Sequence, residues 1–62
     1  MKIVYVDTTN NQNNELGFTN EINFKIPSSG TSIQVRDKNY ELRNAAVDNL
    51  NNSTYLFLIR RE

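Results

Sequence analysis

The chain opens on Ile3-Val4-Tyr5-Val6, a β-branched and aromatic run that stops abruptly at Asp7-Thr8-Thr9-Asn10. Such side chains suit a pleated, half-buried surface, so the run predicts a strand over 2–7. Residues 8–15 carry no apolar side chain and read as an exposed, mobile loop. After Leu16-Gly17-Phe18, residues 21–26 alternate, with Ile22, Phe24 and Ile26 on one parity and Glu21, Asn23 and Lys25 on the other. That period of two is the strongest strand signal in the chain. Pro27-Ser28-Ser29-Gly30 predicts a hairpin, proline pre-setting φ at the first turn position and glycine accepting a positive φ. Residues 31–36 alternate again, placing Ile33 and Val35 inward before a polar turn at Asp37-Lys38-Asn39. A second polar turn over 48–53, broken only by Leu50, leads into a last β-rich run over 54–61.

Residues 40–50 admit two readings. Leu42, Ala45, Ala46 and Leu50 share one helical face, and Asp37 or Asn39 would serve as its N-cap, which gives a helix over 39–50. As a strand, the segment turns Tyr40 and Leu42 inward and needs a bulge near Asn44-Ala45-Ala46 to bring Val47 into register. The strand reading is preferred. The expected fold is then all-β: a five-stranded meander rolled into a small SH3-like barrel, a single domain over 1–62, with a sheet plus one helix as the alternative.

The terminal strands complicate this picture, because Val4 and Val6 alternate with Ile3 and Tyr5, and Leu56 and Leu58 with Tyr55, Phe57 and Ile59. Both parities are apolar. If Tyr55, Phe57 and Ile59 join Ile22, Phe24, Ile26, Ile33, Val35, Tyr40 and Leu42 inside, then Leu56 and Leu58 project from the opposite face. Val4, Val6, Leu56 and Leu58 are therefore the candidate protein interface, and a homodimer through that face is the expectation, with barrel closure by Leu16 and Phe18 as the alternative cover.

Composition narrows the chemistry. Cysteine and histidine are absent, which removes disulfides, zinc sites of the usual kinds, and thiol or imidazole catalysis. Seven basic and seven acidic side chains cancel, so no global field draws the protein to nucleic acid or an anionic membrane. The longest apolar run, 55–59, is far short of the ~20 residues of a membrane helix, and no charged-then-apolar leader opens the chain. Cytoplasmic residence is the default expectation. The frequent asparagines cluster where turns are expected, and they read as compositional bias before they read as a functional amide surface.

The order of these signals resembles that of short phage and prophage proteins. The residues that carry the resemblance are Ile26-Pro27-Ser28-Ser29-Gly30-Thr31-Ser32-Ile33, then Tyr40-Glu41-Leu42, Asp48 and the 55–59 run. The resemblance implies a five-stranded SH3-like barrel from a mobile element, resident in the host cytoplasm. Ala45-Ala46 stands where bulkier β-branched residues are expected. The matching positions are turn and core positions, so no functional residue is carried over.

Candidate chemistry is sparse. Asp7, Glu21, Glu41 and Asp48 are the available carboxylates, each at a strand end or on an outward parity rather than in a geometry-fixing motif. Ser28, Ser29, Ser32 and Ser53 have no base to activate them, and Gly17 and Gly30 are too far apart to cradle a phosphate. No catalytic, cofactor or metal site is expected, and the chain reads as a non-enzymatic interaction protein. The alternative is a nucleic-acid-binding barrel whose patch comprises Lys25, Arg36, Arg43, Arg60 and Arg61. Against it, Tyr40 and Tyr55 fit the inward parity, leaving the patch without a stacking platform.

Overall fold

The computed structural model describes residues 1–61. Five strands, β1 (Lys2–Asp7), β2 (Asn14–Asn20), β3 (Ser32–Val35), β4 (Lys38–Asp48) and β5 (Ser53–Arg60), form one sheet in the order β2-β1-β5-β4-β3. The only helical turn among the described residues is a short 3-10 turn at Thr9–Asn11. The fold is all-β, with the sheet curled into a half-barrel. It is a meander only in part. The β1–β2 hairpin and the β3–β4–β5 meander are joined through a parallel pairing of β1 with β5, whereas every other pairing is antiparallel. A parallel pair cannot be closed by a tight turn, and here the whole intervening chain serves as its connection. The two strands that are apolar on both parities thus occupy the centre of the sheet.

Directly paired residues point to the same side of a sheet, so the register assigns the faces. Tyr5 pairs with Leu56, Leu42 with Leu58, Ala45 with Leu56, and Ile33 with Tyr40. This is the concave side, where Ile3, Tyr40, Leu42, Leu56 and Leu58 form the buried core. Tyr5, Leu16, Phe24, Ile33, Val35 and Ala45 pack around it. The parity expected for the last strand is therefore inverted. Leu56 and Leu58 are 1% and 0% exposed and belong to the core, whereas Tyr55, Phe57 and Ile59 lie half-buried on the outer face. Alternation alone cannot choose between two apolar parities. Once Tyr40 and Leu42 face inward, their register with β5 brings Leu58 inward with them.

Two bulges shape the curl. In β4, Arg43 is the extra residue between Leu42 and Asn44, just before the expected position. The segment is a strand, and the bulge turns Ala45 to the core while Asn44 and Ala46 face outward. In β2, Leu16 is the extra residue, because Tyr5 pairs with Gly17 and Val6 with Glu15. Gly17 adopts φ 151°, open to glycine and strained for other residues, and Leu16 swings onto the core. The curl also brings the sheet edges together. The Arg36 guanidinium, from the β3–β4 turn, reaches to 3.7 Å from where a Cβ on Gly17 of β2 would stand.

The strand expected over 21–26 does not form. Glu21 exchanges backbone hydrogen bonds with Met1, extending the β1–β2 ladder by one pair. Beyond it the chain must leave β2 at one edge of the sheet and reach β3 at the other. A segment making that passage has no ladder partner, and Asn23 breaks the extended backbone with φ 60°. Phe24 tucks against the core, but Ile22 is 90% exposed. Thr31 N–H then donates to Ser28 O (3.1 Å) across a turn with Gly30 at φ 93°, which starts β3 rather than closing a hairpin between two strands. The next reversal lies at Arg36-Asp37, both at positive φ, and not at 37–39 as the polar run suggests.

Candidate binding surface

The register sets Phe18, Val4, Tyr55 and Ala46 side by side across four strands on the outer face. A second row runs from Val6 through Phe57 to Asn44, and Ile59 stands opposite Glu41. Val4 and Val6 are buried, 2% and 8% exposed, in register with Phe18, Tyr55 and Phe57 on the same face. Phe18 is 54% exposed, and the Lys2 ammonium lies 4.5 Å from its ring centroid. What reaches solvent is thus an aromatic and aliphatic strip, and β1 supplies its base.

The four expected interface residues divide between the two faces. Leu56 and Leu58 are withdrawn into the core, because they share a face with Tyr40 and Leu42; Val4 and Val6 lie on the outer face beneath Phe18, Tyr55 and Phe57. Of the residues that present the strip, Tyr55, Phe57 and Ile59 were legible only as the second apolar parity of 55–59, and Phe18 only as a cover closing a barrel.

At one end the strip runs into a groove of about 440 Å³. It is lined by Phe57 and Ile59 of β5, by the bulge residue Arg43 and Asn44 of β4, and by Thr8 and residues 10–13 of the loop. The first two residues of the loop expected to be mobile are held against β5 and Asp7 by hydrogen bonds. Thr8 donates both its N–H (2.7 Å) and its hydroxyl (2.8 Å) to Leu58 O, Thr9 Oγ1 accepts from Arg60 N–H (2.8 Å), and Asp7 Oδ1 accepts from Thr9 N–H (2.9 Å). Asn10 and Asn11 then take φ near 60°, a left-handed conformation asparagine tolerates better than most residues. β2 begins within the same polar stretch, at Asn14.

The five basic candidates do not gather. Arg60 and Arg61 flank a shallow depression with Lys38 and Asp37, and Arg61 is paired with Glu41 at 3.1 Å. Arg36 reaches from the β3–β4 turn toward Gly17 of β2, Lys25 lies on the segment crossing between β2 and β3, and Arg43 is in the groove. Tyr55 faces outward, contrary to expectation, whereas Tyr40 is in the core.

Each candidate carboxylate has a local partner. Asp7 receives Thr9 N–H, Glu21 the Thr19 hydroxyl (3.5 Å), and Glu41 the Arg61 guanidinium. Asp48 Oδ2 accepts from the Asn51 side-chain amide (2.7 Å) and Oδ1 from Leu50 and Asn51 N–H (3.1 and 3.4 Å). These bonds, the Asn51 side chain first, hold its carboxyl below the ordinary value of 3.8. Among the described residues no group of three or more acidic, His or Cys side chains is placed to hold a metal ion. No protein-family model matches the chain, and no curated protein or solved structure does either.

Proposed function

We propose that the protein is a non-enzymatic interaction module that holds a protein partner, another chain or a second copy of itself, against the outer face of its sheet. The observation that carries this reading is the strip on the outer face, where Phe18 is 54% exposed and Tyr55, Phe57 and Ile59 are half-buried on the same side of the sheet. Exposed aromatic clusters of this kind mark contact surfaces, and aromatic side chains dominate the energy of such contacts. The resemblance to short phage proteins fits a small adaptor of this sort, without itself naming a partner.

A second reading, single-strand nucleic-acid binding, gains from Tyr55 and Phe57 facing outward near Lys2 and Arg43, since bases stack on such rings. Glu15 and Glu41 share that face, and the net charge is zero, which favours the protein partner.

The test is sedimentation equilibrium of the native chain and of Phe18→Ser, paired with affinity capture at low and high salt. Concentration-dependent dimers lost in Phe18→Ser identify the second copy as the partner. A monomer that retains one protein through high salt, with loss in Phe18→Ser, identifies another chain. Retention of nucleic acid that falls steeply with salt replaces the proposal with the second reading. Retention unaffected by Phe18→Ser removes the outer face from the account.

A further inference from the structure

The groove beside the pinned loop differs in chemistry from the strip it adjoins. Its lining combines the apolar Phe57 and Ile59, the amide residues Asn10, Asn11, Asn13 and Asn44, and a single cation, Arg43. Among the described residues no side-chain hydrogen bond engages the amides of Asn10, Asn11 or Asn13. Each amide offers two donors and an acceptor, matching hydroxyl groups, which both donate and accept. An apolar wall suits the flat C–H face of a pyranose ring. Arg43 presents a planar fork of donors that matches one carboxylate. A volume of about 440 Å³ lies within the ~300–1,000 Å³ of small-molecule clefts.

From this combination we propose that the groove binds a saccharide carrying one carboxylate, a uronic acid or a short glycan ending in one. A phosphate chain would call for more than one cation, and a purely apolar ligand would leave the rim amides unsatisfied. The Thr8 and Thr9 bonds anchor the start of the loop to β5, which limits the ordering that binding requires of Asn10 and Asn11. The groove shares Phe57 and Ile59 with the outer strip, but Phe18 is not among its lining residues, so Phe18→Ser tests the protein-partner reading without touching the groove.

The experiment is a titration of the isotopically labelled protein with glucuronate, glucose and acetate in turn, following the side-chain amide signals of Asn10, Asn11, Asn13 and Asn44 by nuclear magnetic resonance. Glucuronate is expected to give saturable shifts on a millimolar scale, with glucose weaker by about tenfold through loss of the charged pair. Arg43 is exposed, so Arg43→Gln keeps the fold, as the core amide signals will verify, and brings the two sugars to equal affinity. Asn11→Ala weakens both sugars together. The absence of saturation with glucuronate overturns the site. Acetate matching glucuronate also overturns it, leaving an adventitious anion contact at Arg43.

Discussion

Asp48 illustrates how much one side chain organises in so small a protein. Its carboxylate receives three hydrogen bonds from Leu50 and Asn51, closing the β4–β5 turn while leaving Leu50 97% exposed at the tip. A carboxyl held below its ordinary 3.8 stabilises the fold above that pH, and the contribution fades as pH falls through the folded value. Asn51→Ala is therefore expected to move the Asp48 titration back up toward 3.8 and to weaken the acid-sensitive part of stability, read from carboxyl carbon shifts against pH. Leu58 and Leu50 make a second contrast. Leu58→Ala empties a fully buried position and should cost ~2–5 kcal/mol, whereas Leu50→Ala should stay within ~0.5 kcal/mol of the native chain in urea unfolding. Near-equal effects of the two would contradict the assignment of β5 faces.

Elements divide into those whose own residues specify them and those that exist through their partners. β1, β3 and β5 are legible from their β-branched and aromatic residues, whereas β4, with only Tyr40 and Val47 of those types, stayed open between strand and helix, and the need for a bulge in it followed from Ala45-Ala46 and Val47 falling out of step. β2 was not legible: Asn14-Glu15-Leu16-Gly17-Phe18-Thr19-Asn20 has no sustained alternation, and its extended form comes from the ladder with β1. Residues 21–26 are the reverse case, patterned as a strand but left without a strand to pair with. The groove was illegible for a related reason, since Phe57, Arg43 and Asn11 come together only through register and a pinned loop. The β3–β4 turn tests local chemistry against tertiary need. Arg36 at φ 53° and Asp37 at φ 65° fill a two-residue turn that favours Asn-Gly. Asp37→Gly relieves a left-handed residue, but it also frees the unfolded chain. With the turn preference dominating, a gain of ~0.5 kcal/mol in chemical unfolding is expected. Gly17→Ala tests the opposite case. It places a side chain at φ 151° and should lose more than ~1 kcal/mol, although the added Cβ meets Arg36 at an ordinary 3.7 Å.

At the scale of the whole molecule, the parallel pairing of β1 with β5 makes the fold indivisible. A chain of this size buries only ~60% of the surface its unfolded form exposes, so it has little stability to spread over separable parts. Its central ladder runs from Lys2–Ser53 to Asp7–Leu58, between residues some fifty positions apart. β1 also supplies Ile3 to the core, Val4 and Val6 to the base of the outer strip, and a full antiparallel partner for β2. Removing residues 1–7 would strip β2 of its neighbour in the sheet and expose β5 as a long apolar edge, while in the β3–β4–β5 meander alone Leu56 would keep Ala45 beside it but lose Tyr5 and Ile3. The truncated chain is therefore expected to lose its cooperative thermal transition entirely, and not to persist as a stable meander. Circular dichroism against temperature, with hydrogen exchange of the β4 amides, checks this. Protected β4 amides in the truncated protein would mean that the meander folds alone and that β1 and β2 are an appended hairpin. Because the non-local β1–β5 ladder must close against the entropy of the intervening chain, the intact protein should also fold more slowly than a local hairpin protein of equal length, in milliseconds or longer. A microsecond folding phase spanning the full amplitude would place the rate-limiting contacts in the local hairpins instead.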